Sequence, residues 1–266
     1  MCTLILGLGI LGPGSLLLGA NRDESPKRPS ADPGVLVEEP RVVGGRDLVS
    51  GGTWLAIREA RFVTALMNRR PSLGDTRDPA TFRSRGLLCL DVAAAAASAD
   101  SGGGPRRPES AAAAADSHLD FALRLVGSGS YAPCTLVGVG IDGEAWALRV
   151  GVGEPQVHPI ARGWHVITHQ EVDDWSEPRT RWLLEEIGEK LPKSVEEAFD
   201  SMAGYLRSHG DGGHPPVCLH REVFPTVSSS LVVLGVSEGP RYLHAPGPPC
   251  VTEYRDRTPL LGARGD

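Results

Sequence analysis

No basic stripe runs through these 266 residues: 27 Lys and Arg stand against 33 Asp and Glu, for a net charge of −6. That balance argues against binding by phosphate neutralisation along a nucleic acid. Paired cysteines are missing as well. The five that occur, at positions 2, 89, 134, 218 and 250, are odd in number, widely spread and free of any CxxC spacing. This excludes a disulfide framework or zinc ribbon and fits a reducing compartment, so a cytoplasmic location is expected. Charge is also absent before Arg22, in the opening stretch MCTLILGLGILGPGSLLLGA. A secretory signal would need a basic start, and a membrane-spanning helix would have to accommodate Pro13 together with Gly7, Gly9, Gly12, Gly14 and Gly19. Neither a membrane span nor a membrane partner is expected.

What is present in that stretch reads as a β-hairpin: CTLILGLGI, a turn at Gly12, Pro13 and Gly14, then SLLLGANRDE. A second hairpin is expected from residues 53–57 and 61–68, and a third around the Asp142-Gly143 turn, from 134–141 and 144–150. Strands are also expected at 164–169, 229–236 and 241–245. Helical segments are expected at 80–99, 116–127, 178–191 and 194–208. Between the first two, the Gly, Pro and Ser content of 100–112 points to a flexible loop, and 251–266 reads as a polar tail after a single domain spanning 1–250. Strands and helices come in blocks, which favours an α+β fold with mostly antiparallel sheet over a doubly wound one.

Two motifs mislead. Gly7, Gly9 and Gly12 match GxGxxG after a strand, but Pro13 and Gly14 follow where a helix N-terminus must receive a pyrophosphate, so the turn reading prevails. His209, His214, Cys218 and His220 bring metal-ligand types into one short segment, yet their spacing matches no zinc finger or helical HExxH. No metal and no cofactor are expected.

Cys2 carries the strongest chemical signal. Loss of Met1 would place its thiol beside a free α-amine, whose reference pKa of about 8 leaves an appreciable unprotonated fraction near neutrality. Nucleophile and base would then share one residue. The first hairpin returns Asn21-Arg22-Asp23-Glu24 to the same place. There Asp23 can orient the ammonium, and Arg22 can hold a substrate carboxylate or lower the thiol pKa.

At these residues the chain resembles the NRDE family, the transport and Golgi organisation protein 2 homologues, placed among N-terminal-nucleophile hydrolases. The resemblance runs in order through Met1-Cys2, Asn21-Arg22-Asp23-Glu24, Arg28-Pro29, Gly44-Gly45-Arg46-Asp47, Gly51-Gly52-Thr53-Trp54-Leu55, Asn68 and Ser84-Arg85-Gly86. It implies a four-layer αββα sandwich with two antiparallel sheets and a catalytic N-terminal cysteine. By similarity to the penicillin V acylases and bile salt hydrolases of the wider superfamily, Cys2 would attack an amide carbonyl to form a thioester acyl-enzyme. Asp23 would orient the amine, the Asn68 N–H would serve the oxyanion, and His169, in Thr168-His169-Gln170, would stand where those acylases place a second asparagine donor. Ala20 stands where they carry an arginine, with Arg22 two residues on, and Phe224-Pro225-Thr226-Val227 replaces the family's Tyr-Gly-Thr-Arg. The catalytic candidates are thus Cys2, Asp23, Asn68 and His169, and the substrate-binding candidates Asn21, Arg22 and Trp54. The expected function is amide hydrolysis or acyl transfer on a small molecule, including a biosynthetic tailoring reaction. Because some family members are associated with haem trafficking, a non-catalytic haem-binding role is the alternative.

Overall fold

The computed structural model describes residues 2–71, 75–95, 117–151, 153–188, 190–210 and 213–262. The opening apolar stretch is a hairpin. Strands β1 (Thr3–Leu8) and β2 (Leu16–Asp23) pair antiparallel with Thr3 opposite Asn21 and Leu8 opposite Leu16. Gly12 and Gly14 turn the chain at φ 113° and 76°, a region side chains rarely tolerate. Ser15 closes the turn by donating its hydroxyl to the Gly12 carbonyl at 2.8 Å. No helix begins after Gly12, so the dinucleotide-like motif is a turn.

Among the described residues this hairpin forms part of a sheet ordered β10-β1-β2-β11-β12-β13. Its other strands are β10 (Gly163–Ile167), β11 (Thr226–Leu234), β12 (Arg241–Ala245) and β13 (Arg255–Asp256). The second sheet runs in sequence order: β3 (Ser30–Val37), β4 (Val42–Asp47), β5 (Leu55–Arg58), β6 (Phe62–Asn68), β7 (Cys134–Gly140), β8 (Ala145–Val150) and β9 (Gln156–Pro159). Each pairing in both sheets is antiparallel.

Alternation of side chains along each strand builds three apolar layers. Leu4, Leu6, Leu16 and Leu18 from the first sheet meet Val43, Ile57, Val63 and Val137 from the second, forming the central layer. Each fully buried side chain of this size stabilises the fold by roughly 1.5–3 kcal/mol. Ile5, Leu17, Leu231 and Val233 point the other way, onto helices α3 (Pro178–Ile187) and α4 (Val195–Arg207). Leu66, Leu136, Trp146 and Leu148 cover the outer face of the second sheet against α1 (Arg85–Ala94) and α2 (His118–Ser128). The result is the four-layer αββα sandwich.

Helix starts follow their local sequence. Ser117 and Asp120 form a reciprocal capping box at α2, Ser194 caps α4, and α3 begins with Pro178 behind the side chain of Glu177. Among the described residues no helix is long and apolar enough to cross a membrane.

Two features depart from the sequence reading. Strands β3 and β4 occupy residues 30–47, where Pro33 and Gly34 mask the strand pattern and two register irregularities interrupt the pairing. The expected polar tail is also largely folded. Strand β13 pairs with β12, and a 3-10 turn over Thr258–Leu261 buries Leu261 in the central layer. Leu261, with the partly buried Leu260 and Tyr254, anchors a segment whose average composition is polar. The expected loop at 100–112 lies outside the described residues.

Candidate active site

The hairpin register places Cys2, just before β1, beside Arg22 on β2. Cys2 packs against the central layer and opens into a cavity of about 410 Å³ at one end of the two sheets. Arg22, Trp54 and Asn68 line the same cavity, so four of the sequence-identified residues come together. The Cys2 thiol donates toward the Asp23 carbonyl oxygen at 3.9 Å. Burial, then the Asp23 carboxylate, push the thiol pKa up, so a thiolate at neutral pH needs a base to take its proton.

Arg22 points into the space between the sheets. Its guanidinium sits 4.1 Å from the centre of the Trp54 ring, and Nη1 donates to Ser30 Oγ at 3.1 Å. Stacking on an aromatic face fixes the planar group while leaving its other N–H donors available to the cavity. Asn68 ends β6. The Leu66 N–H donates to the Trp54 carbonyl at 2.9 Å. Two residues on, strand alternation aims the Asn68 N–H the same way, past the last β5 pair and along the cavity wall.

Asp23 lies on the opposite face of β2, toward the helices. Its Oδ1 accepts from the Thr226 hydroxyl at 2.7 Å. Thr226 in turn accepts from the Leu219 N–H at 2.9 Å, so the hydroxyl proton is directed at Asp23. Burial raises the Asp23 pKa, opposed by the Thr226 hydrogen bond and the charge of Arg179. Arg179, in the first turn of α3, is itself buried and donates to Thr3 Oγ1 at 2.8 Å. Its own pKa is lowered by burial and held up by Asp23. Asp23, Thr226 and Arg179 thus form a buried polar group beneath the strand end that carries Cys2.

The NRDE residues do not all converge. Asn21 shares Asp23's face of the strand, and its amide donates to the carbonyls of Leu206 and Val217 at 2.9 and 3.1 Å. Its side-chain amide thereby fastens the sheet to α4 and the following loop, on the face of β2 away from the Cys2 thiol. His169 follows β10 but does not line the cavity. Burial, then Arg70, lower its pKa. The adjacent Gln170 carbonyl and Glu171 carboxylate are held by Arg69 at 2.7 and 2.6 Å.

Other motif residues build the cavity wall. Arg28 donates to Asp47 through Nε at 3.0 Å, and this bonding outweighs burial to leave the Asp47 carboxyl below its ordinary range. A Cβ on Gly45 would lie 2.5 Å from the Trp54 ring, and one on Gly52 would lie 2.1 Å from the Gly86 carbonyl carbon. The Thr53 N–H donates to that carbonyl's oxygen at 3.0 Å, binding the β4–β5 loop to the start of α1. The Gly52 contact is backbone against backbone, so a Cβ there could be accommodated only by moving one of the two chains. Gly52→Ala is therefore expected to lower unfolding stability by about 1–3 kcal/mol, and a chemical-denaturation midpoint unchanged from wild type would contradict this packing.

Arg179, Thr226 and Phe224 escaped the sequence reading as site residues. The Pro-Arg-Thr-Arg start of α3 marks the helix but gives no sign that Arg179 reaches β1. The segment 224–227 stood out only as a departure from the family pattern, yet Phe224 lines the cavity and Thr226 holds Asp23.

Among curated proteins none matches the sequence. Solved structures do match in fold. A variant of the conjugated bile acid hydrolase from Clostridium perfringens aligns at 12% identity with a TM-score of 0.50, covering 98% of this chain and 94% of that one. Penicillin V acylase from Agrobacterium tumefaciens aligns at 12% identity with a TM-score of 0.51, covering 100% of this chain and 89% of that one. At that identity the likeness is one of fold, that of the N-terminal-nucleophile hydrolases. The family model described as Transport and Golgi organisation 2 matches residues 1–201. The chain belongs to the Transport and Golgi organisation 2 family, the NRDE family, and carries its motifs on an N-terminal-nucleophile hydrolase fold.

Proposed function

We propose that the protein is an N-terminal cysteine amidohydrolase or acyltransferase acting on a small-molecule amide or related acyl bond. The observation that carries this reading is Cys2 opening into the cavity beside Arg22, Trp54 and Asn68, with Asp23 at the same strand end. In this reading, removal of Met1 makes the amine of Cys2 its own base. The amine takes the thiol proton as Sγ bonds to the carbonyl carbon. Asp23, held by Thr226, orients the resulting ammonium, and the Asn68 N–H faces the oxyanion. The C–N bond then breaks, the ammonium proton passes to the departing amine, and a thioester remains. Water attacks that thioester in hydrolysis and a second amine attacks it in transfer. In either case the thiol recovers its proton.

The cavity wall also indicates the kind of substrate. Arg22, Arg28, Arg83 and Arg85 line the cavity with Glu24 and Asp47. Arg28 is bonded to Asp47, Arg83 is paired with Asp91 outside the lining, and Arg85 donates one N–H to the Pro133 carbonyl, so Arg22 keeps the most donor capacity for the cavity. This excess of guanidinium groups suits an amide that also bears a carboxylate or another anionic group. Arg22→Gln is expected to raise KM for such a substrate about 10- to 100-fold, the worth of one charge-assisted hydrogen bond, while KM for its neutral ester or amide analogue changes little. Steady-state kinetics on a panel of N-acyl amino acids and their methyl esters tests this. Equal effects on both sets would count against an anion-binding Arg22. Cys2-independent haem binding by absorbance titration, with no turnover of any amide, would instead support ligand binding over catalysis.

A further inference from the structure

Away from the cavity, three segments converge on one point. His209 follows the end of α4, Cys218 and His220 lie in the loop leading to β11, and Cys250 lies between β12 and β13. One donor atom from each of these four residues lies within 4.8 Å of all the others. His220 Nε2 is 3.2 Å from both His209 Nε2 and Cys250 Sγ. Cys218 Sγ is 3.5 Å from Cys250 Sγ and 3.9 Å from His220 Nε2. With Zn–S near 2.3 Å and Zn–N near 2.0–2.1 Å, a tetrahedral site has donor-to-donor edges of about 3.3–3.8 Å. The observed separations bracket those edges.

We propose that His209, Cys218, His220 and Cys250 form a structural Zn²⁺ site. Two sulfur and two imidazole donors make a closed set of four, which leaves no position for a reacting water and fits a structural rather than catalytic metal. The surrounding backbone holds the donors in place. Ser208's carbonyl accepts from the N–H groups of Val217 and Cys218, both at 2.9 Å, and Arg207 Nε donates to the Pro249 carbonyl at 3.0 Å. His214 takes no part, because its ring stacks on Trp182 at 3.8 Å. Local spacing hides the site: His209, His214, Cys218 and His220 match no zinc-finger or HExxH pattern, and the fourth donor, Cys250, lies 30 residues beyond His220 in sequence.

The site has a structural consequence. Leu219, between two of the donors, exchanges hydrogen bonds with Thr226, whose hydroxyl holds Asp23. A metal here would fasten the loop that carries the cavity residue Phe224 and leads into Thr226 at the start of β11.

The test is metal analysis of untagged full-length protein, purified under reducing conditions without chelator and dialysed against metal-free buffer. About one zinc per chain is expected, falling to background in Cys218→Ser and Cys250→Ser and kept in His214→Ala. Chelation should lower the thermal midpoint of the wild type and leave that of Cys250→Ser unmoved. If the cysteine variants fail to fold, the exposed position His209 supplies His209→Ala. Cobalt-loaded wild type should then show a thiolate-to-cobalt charge-transfer band that is weakened or shifted in that variant. Wild type that stays metal-free after incubation with Zn²⁺ and gives no cobalt band would overturn the proposal. So would a Cys218–Cys250 disulfide in metal-free protein isolated under these reducing conditions. Neither result bears on Cys2, so the site and the proposed function fail separately.

Discussion

Cys2→Ala is expected to lower turnover of an amide substrate by about 10⁴-fold or more, as removal of a catalytic nucleophile does. Cys2→Ser should retain a small residue of activity, since a hydroxyl can occupy the same position but gives up its proton less readily. The other cysteines make the result interpretable. Cys89 and Cys134 are fully buried in the second sheet's outer layer, and burial pushes both thiols up to about 12. Cys218 and Cys250 belong to the cluster with His209 and His220. A small electrophile at neutral pH should therefore modify Cys2 at a rate that depends on its amine. Stoichiometric labelling of the Cys2→Ala protein at the wild-type rate would mean that another thiol is the reactive one.

Asp23→Asn is expected to reduce the acylation rate by about 10²- to 10³-fold, the usual worth of an electrostatic partner placed at a reacting group. The asparagine can still accept from Thr226, so fold stability should suffer less than the rate. The pH dependence separates this role from simple packing. Burial raises the Asp23 pKa, so its carboxylate takes up a proton at a higher pH than an ordinary aspartate. In the wild type, acylation should therefore fall at low pH with two protonations, that of the Cys2 amine and that of Asp23, and the Asn variant should keep only the amine's limb. Thr226→Val removes the hydrogen bond that opposes the rise. Its acid limb should move further toward neutral pH, and an unmoved limb would show that Asp23 does not control the rate.

The parts legible in the sequence were those set by near neighbours. Alternating apolar residues and the Gly12-Pro13-Gly14 turn determined the first hairpin, and its register brought Cys2 beside Arg22 without further information. Trp54, just before β5, and Asn68, at the end of its partner β6, stood in ordered motifs at the same end of a strand pair, so they arrived at the cavity together. The NRDE tetrapeptide was harder to divide. A strand sends successive side chains to opposite faces, so Arg22 enters the cavity while Asn21 and Asp23 face the helices. For Asn21 this sends the amide to the α4 carbonyl of Leu206.

The remainder depends on residues distant in sequence. Arg179 reaches Thr3 across 176 positions, and Thr226 reaches Asp23 across 203. Such contacts follow from how α3 and β11 dock on the first sheet, and no local period encodes them. Cys250 joins His220 for the same reason, once the chain has passed through β11 and β12. Strands β3 and β4 were obscured differently. Pro33, Gly34 and the irregular pairing break the alternation that marked the other strands.

The central claim is that Cys2 acts from the N-terminus, and intact-protein mass spectrometry after brief exposure to an N-acyl substrate and an acid quench tests it most directly. The account predicts a chain without Met1 that carries one acyl group on Cys2. A chain that quantitatively retains Met1, or an acyl group borne by any other residue, would contradict it.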